Sequence, residues 1–302
     1  MNSSGRLQAH DCGTRYFYRH AMRQSRSIED VDMPNFKYET IVAHYTDGGA
    51  GDPVFLLHAG GSSGRQWRKI TGHLEADFRL IAPDSIGFGE TGHWPGTKDL
   101  THDVQAQLIR ALVERVSDAP IDVVGHSYGG STAIRLALAA PEKVRRLVLI
   151  EPIVTVLLPQ AGENDLFAEY RALAEGFIAH AVAGKEEEAW RTFLDLRNGA
   201  GTWAGLPEKA RAGFLSTTGQ ALHHWRSNLN NPTTLEEVRG ITQPTMVIRG
   251  AATTMPERRV CEILRSQIPG CDYEIIPGAE HMSPLTHPAE VASVIRRHLA
   301  SP

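Results

Sequence analysis

A chain of 302 residues with 31 Lys and Arg against 35 Asp and Glu carries a formal net charge of −4. That balance excludes the strong basic excess by which proteins hold nucleic acid, and 41% hydrophobic content with 28 glycines suffices for a packed globular core. The three cysteines, Cys12, Cys261 and Cys271, are odd in number and lack CxxC spacing, so they indicate neither a disulfide framework nor a zinc site and favour a reducing compartment.

In chain order, residues 1–35 are polar and rich in Arg and His, without the apolar stretch of a secretory signal, and are expected to form an N-terminal arm. Phe36 to Tyr45 is expected as a leading antiparallel hairpin. From Pro53 onward short β-rich runs alternate with helical periodicity. The strand candidates are Val54–Leu57, Phe78–Ala82, Ile121–Val124, Leu147–Ile150, Thr245–Ile248 and Tyr273–Ile276. Most are near-continuous apolar runs, the pattern of strands buried on both faces of a parallel sheet. Between them Leu100, Val104, Leu108 and Leu112 recur at helical spacing, as do Val260, Ile263, Leu264 and Ile268, and Val291, Val294, Ile295 and Leu299. This alternation predicts a doubly wound α/β sheet. Residues 153–240 interrupt it with amphipathic patterns and no convincing strand, which reads as a helical cap inserted into a core of residues 36–152 and 241–302. The longest apolar run, Leu147 to Pro159, is broken by Glu151 and Pro152 and falls short of the ~20 residues that span a bilayer, so a soluble, cytoplasmic protein is expected.

Gly125-His126-Ser127-Tyr128-Gly129 lies directly between a strand candidate and a helix-like segment, Gly130 to Ala140. A nucleophilic serine on a strained strand-to-helix turn needs small flanking residues, because the backbone must approach closely there. The helix N-terminus also favours a developing anion. In this setting the chain resembles the α/β-hydrolase family, and the resemblance covers nearly everything from residue 36 to 302. It implies a mostly parallel eight-stranded sheet with helices on both faces and an inserted helical cap. His58-Ala59-Gly60-Gly61 looks like that family's oxyanion loop, with Ala59 where Gly is usual. By resemblance, the backbone N–H groups of Gly60 and Tyr128 form the oxyanion hole.

Pro83 to Gly92 contains a literal GxGxxG in Gly87, Gly89 and Gly92, but His93-Trp94-Pro95-Gly96 follows where a dinucleotide site requires a helix. The segment is instead similar to the Asp-x-x-Gly-x-Gly turn of hydrolases, and no nicotinamide, flavin or other cofactor is expected. Among the 14 histidines, His281 sits just past the last strand, the chain position of the hydrolase general base, in a Gly-x-x-His-x-x-Pro-Leu that resembles the family's His loop. The acid departs from the common pattern. Most family members place an Asp after the strand that corresponds to Thr245–Ile248, whereas here Gly250 to Pro256 holds no carboxylate, and Glu257 falls in a first helical turn where an acid complements the dipole. Glu151, twenty-four residues beyond Ser127, ends the neighbouring strand and is the candidate acid. A minority of the family, including some haloalkane dehalogenases and a fungal lactone hydrolase, is similar in this respect.

These residues predict a cofactor-independent, metal-free serine hydrolase of a small, moderately apolar ester or lactone, with Ser127, Glu151 and His281 as the triad. The alternatives are hydrolysis of a carbon–carbon bond in a ring-cleavage dienone and a hydrolase-like protein that binds a small molecule. The expected partner is a small-molecule substrate rather than nucleic acid or membrane; a homodimer is compatible with the sequence, which does not fix the oligomeric state. Trp190, Phe193, Trp203, Phe214 and Trp225, with His223 and His224 beside the last, are candidates for the cap's own core or for a pocket lining, and Trp67 is a candidate wall near the oxyanion loop.

Overall fold

The six apolar runs form strands whose alternate side chains enter two different cores. A computed structural model describes residues 34–96 and 99–300; the expected N-terminal arm and Cys12 lie outside the described residues. The strands are β1 Asn35–Tyr38, β2 Ile41–Gly49, β3 Pro53–Leu57, β4 Arg79–Pro83, β5 Ile121–His126, β6 Val144–Ile150, β7 Thr245–Gly250 and β8 Asp272–Ile276. They form one sheet in the order β1-β2-β4-β3-β5-β6-β7-β8, antiparallel at β1–β2 and β2–β4 and parallel elsewhere. This is the mostly parallel eight-stranded α/β-hydrolase architecture.

The helices of the core are α1 Arg68–Leu74, α2 His102–Val116 and α3 Tyr128–Ala139 before the insertion, and α11 Met255–Gln267, α12 Ser283–Thr286 and α13 Pro288–Leu299 after it. On one sheet face Phe55, Val123, Leu149 and Val247 pack with α2, α3 and α11; on the other Leu56, Val124, Val148 and Ile248 pack with α1 and α13. Because side chains alternate along a strand, both faces are apolar and every residue of β5 is buried. That explains the unbroken runs in the sequence.

Between β6 and β7 the described residues are helical without a strand: α4 Leu157–Gln160, α5 Asn164–Val182, α6 Glu186–Asn198, α7 Thr202–Gly205, α8 Glu208–Ser216, α9 Thr218–Leu229 and α10 Leu235–Arg239. They enclose a third apolar cluster, in which Tyr170, Ala174 and Phe177 of α5, at helical spacing, meet Trp190, Trp203 and Trp225. Among the described residues no helix is long and apolar enough to cross a membrane.

Candidate active site

Ser127 occupies the sharp turn between β5 and α3 with φ +55° and ψ −117°, a sparsely populated conformation that costs an L-residue about 1–3 kcal/mol. The flanking glycines make the turn possible. A Cβ on Gly125 would lie 2.5 Å from the Gly129 carbonyl oxygen, and one on Gly129 would collide with the Leu57 carbonyl. The turn is pinned to the next strand, because the Ser127 N–H donates to the Ile150 carbonyl at 2.9 Å and the Ser127 carbonyl accepts from Gly130 and Ser131 at 3.0 and 3.1 Å.

β5 and β6 pair in register through His126 and Ile150. Glu151, the residue that follows β6, therefore opens beside Ser127, itself at φ +42° and fully buried. Its Oε1 accepts from the Gly250 N–H at 2.6 Å, and its Oε2 from the Thr253 hydroxyl at 2.6 Å and from His281 Nδ1 at 2.8 Å. Burial pushes the carboxyl up, but the hydrogen bonds from His281, Thr253 and Gly250 outweigh it and hold the group below its ordinary value. The carboxylate is therefore ionised at neutral pH, and the end of β7 and the loop after it contribute one donor each, Gly250 and Thr253, rather than an acid.

His281 follows β8, and its Nε2 lies 3.0 Å from Ser127 Oγ. The structure thus brings Ser127, His281 and Glu151 into one hydrogen-bonded row. Gly60 and Tyr128 flank it: a Cβ on Gly60 would lie 3.7 Å from Tyr128 Cβ. Neither the Gly60 nor the Tyr128 backbone N–H donates to another group of the described chain, which leaves both free for a substrate oxygen. Gly60, Ser127, Tyr128 and His281 line a cavity of about 640 Å³ between sheet and cap, and Glu151 stands behind His281.

A second row, which the sequence did not reveal, fixes the loops that carry these groups. The Ala59 N–H donates to Gln66 Oε1 at 3.1 Å, Gln66 Nε2 donates to His126 Nδ1 at 3.0 Å, and His126 Nε2 donates to the His281 carbonyl at 2.9 Å. Burial first, and the neighbouring His281 next, push the His126 pKa down to about 3, so this ring stays neutral and can accept from Gln66. The oxyanion loop and the His loop are tied together through the first variable position of the Gly-x-Ser-x-Gly motif, where the pattern itself carries no information.

Trp190, Phe193, Phe214 and Trp225 belong both to the cap cluster and to the cavity wall, and His224 lines the wall as well; Trp203 and His223 do not. Trp67 is not a wall residue. It packs beneath the sheet with Ile70 and Leu74 of the α1 side, because the turn Gly64–Trp67 directs it into that core. Glu257 completes its helix's first turn and is buried against Arg197 of α6, whose guanidinium borders the cavity. The segment Gly87 to Gly92 stays a loop around Asp84, whose carboxylate accepts from the Gly64 and Glu90 N–H groups at 2.7 and 2.9 Å. Among the described residues no group of three or more His, Cys, Asp or Glu side chains is placed to hold a metal ion.

A family model described as the alpha/beta hydrolase fold matches residues 52–288. The chain belongs to the α/β-hydrolase fold family. As a hydrolase of that fold it is 28% identical to a 2-hydroxymuconate semialdehyde hydrolase of a Pseudomonas strain, over 84% of this chain and 89% of the relative. It is 29% identical to the lipase LipV of Mycobacterium tuberculosis, over 82% and 92%. Among solved structures it resembles a thermophilic esterase of Thermogutta terrifontis, with a TM-score of 0.67 and 24% identity over 88% of this chain and 96% of the other. In this α/β hydrolase the positions that the sequence could not single out are Gln66, His126, Thr253 and Arg197. Apart from Ala59, seven residues from Gln66, the partners lie 60 to 155 residues away, and no local pattern marks them.

Proposed function

We propose that this α/β hydrolase cleaves a small, moderately apolar carboxylic ester or lactone through an acyl-enzyme, with Ser127 as nucleophile, His281 as general base, Glu151 as its carboxylate partner and the N–H groups of Gly60 and Tyr128 as the oxyanion hole. The observation that carries this reading is the continuous row from Ser127 Oγ to His281 Nε2 at 3.0 Å and from His281 Nδ1 to Glu151 Oε2 at 2.8 Å, opening on the cavity. Nε2 takes the Ser127 proton as Oγ attacks the acyl carbon, and the imidazolium formed is stabilised by Glu151. The carbonyl oxygen gains negative charge between the two N–H groups, each worth on the order of 3 kcal/mol. The imidazolium then protonates the departing alkoxide oxygen. Water attacks the acyl-enzyme with His281 again as base, releasing the acid and restoring Oγ–H.

The alternative, carbon–carbon bond hydrolysis, has the support of the 2-hydroxymuconate semialdehyde hydrolase, whose substrate by its name carries a carboxylate. Against it, the cationic side chain at the cavity wall, Arg197, is already paired with Glu257, which favours an uncharged ester. Cys261 and Cys271 are free thiols, which supports the cytoplasmic location proposed with this activity.

The test is turnover of short p-nitrophenyl esters by the wild type and by Ser127→Ala, with a panel of ring-cleavage dienones in parallel. The variant is expected to lose at least about 10³-fold in kcat, a lower bound set well below the roughly 10⁶-fold loss seen when a serine protease loses its nucleophile. Retention of most ester activity by Ser127→Ala, or faster turnover of a dienone than of any ester, overturns the assignment.

A further inference from the structure

The buried histidines of this protein divide into two kinds. His58 donates through Nδ1 to the Ala59 carbonyl at 2.7 Å and accepts at Nε2 from the Ser85 N–H at 2.9 Å. His102 has Thr132 Oγ1 at 3.1 Å and Asn228 Oδ1 at 3.0 Å, and His126 has Gln66 and the His281 carbonyl. His224, carried by α9 of the cap, is 4% exposed, yet neither of its ring nitrogens has a partner. Its ring lies flat on that of Tyr128, centroids 3.5 Å apart and 9° from parallel, with Phe88 at 4.4 Å on another side.

Stacking does not require an imidazole there. A phenyl ring would stack on Tyr128 equally well, whereas each desolvated, unpaired ring nitrogen is a cost to the folded chain. Burial first, then the neighbouring His58, His102 and His223, push the ring's pKa well below the ordinary value, so it presents one N–H donor and one lone pair. The ring borders the cavity, and a Cβ on Gly60 would lie 3.3 Å from its Nδ1. Nδ1 therefore stands beside the oxyanion loop. On the reading of Ser127 and His281 given above, the leaving group must face His281, which protonates it. On the same reading the acyl carbonyl oxygen sits between the Gly60 and Tyr128 N–H groups, and His224 meets both of those residues.

We propose that His224 binds the acyl half of the substrate, hydrogen-bonding a hydroxyl or keto oxygen on the carbon next to the scissile carbonyl, so that the enzyme's substrates are esters or lactones of 2-oxygenated acids. This deepens the ester reading and rests on it.

The experiment compares methyl 2-hydroxybutyrate with methyl butyrate, followed by acid release at constant pH. The wild type is expected to favour the hydroxy ester by at least about tenfold in kcat/KM, because a buried group built to pair with a hydroxyl discriminates against its absence. In His224→Phe, which keeps the stack, that ratio is expected to fall to about one, and His224→Asn, which restores a donor and an acceptor, to recover part of it. No preference in the wild type, or a ratio unchanged in His224→Phe, overturns the proposal. Binding of the same two esters to Ser127→Ala, read by fluorescence of the cavity tryptophans Trp190 and Trp225, separates this failure from failure of the ester chemistry. If neither ester is cleaved by the wild type, the ester reading falls. Tighter binding of the hydroxy ester that is lost in Ser127→Ala/His224→Phe then still supports His224 as its ligand, and equal binding of the two esters overturns it.

Discussion

Ser127 at φ +55° and Glu151 at φ +42° are non-glycine residues in the left-handed region at the ends of paired strands. Each is strained by about 1–3 kcal/mol, and each is held by a backbone hydrogen bond to the next strand: Ser127 N–H to the Ile150 carbonyl at 2.9 Å, Glu151 N–H to the Ile248 carbonyl at 3.0 Å. The strain turns both side chains toward the cavity side of the sheet, where His281 lies between them. Replacing Glu151 by Gln keeps the shape and the acceptor for the Gly250 N–H but removes the charge that stabilises the imidazolium. The kcat of Glu151→Gln on a p-nitrophenyl ester should fall by about 10⁴, as when a triad acid becomes an amide in a serine protease; a fall of less than about tenfold would remove Glu151 from the proposed triad. Ser127 and His281 were legible because the motif and the chain order mark them. Glu151 was legible from a loop after β7 without a carboxylate together with its own place at the end of the strand beside that of Ser127. That loop's own contribution, the Thr253 hydroxyl at 2.6 Å, was not, because a threonine in a loop gives no sign of which strand end it faces.

The six strands from β3 to β8 match their apolar runs to within three residues at each end, most of them because burial on both faces leaves a near-continuous apolar signature, whereas β2 runs to Gly49, four residues past the expected hairpin. Helices of four to seven residues, such as α1, α4 and α7, were not legible, since they are too short for a helical period to repeat. The contact between Arg197 of α6 and Glu257 of α11 was equally hidden: the sequence placed Glu257 in a first helical turn but gave no cationic partner for it. This buried pair joins the cap to the core beside the cavity. Removing one partner leaves the other charge desolvated and alone, at a cost of about 3–5 kcal/mol, whereas replacing both by apolar residues of similar volume is often neutral. Thermal unfolding of Glu257→Leu should therefore begin roughly 6–12 °C below that of the wild type, taking about 3 kcal/mol at 2–4 °C per kcal/mol. Adding Arg197→Met should recover most of that difference. Equal melting temperatures for Glu257→Leu and the wild type would show that the pair does not hold the cap.

At the scale of the whole molecule, the sequence marked a sheet core with a helical insertion, but not that the interior between them is stocked with neutral imidazoles. Burial depresses the pKa values of His58, His102, His126 and His224, and pushes those of His102 and His126 down to about 3. Above the ordinary value of 6.5 these rings are neutral in both the folded and unfolded chain, so they make no difference to stability. Below it the unfolded chain takes up protons that the folded chain refuses, so νU exceeds νN and the free energy of unfolding falls as the pH falls, by roughly 1.4 kcal/mol per pH unit for each of His102 and His126, with His58 and His224 acting in the same direction. Glu151 acts in the same direction but later: its folded pKa lies below 4.5, so its contribution is complete above the unfolded value and is lost only as the pH drops through the folded one. Urea unfolding at pH 7.5, 6.5, 5.5 and 5.0 should therefore show stability nearly level down to about pH 6.5 and then a steep decline before the carboxylates titrate. His102→Gln, which keeps an amide donor for Asn228 Oδ1 and cannot be protonated, should lower that slope by about one proton's worth. A stability constant from pH 7.5 to 5.0, or a slope unchanged in the variant, would show that these imidazoles admit protons while folded.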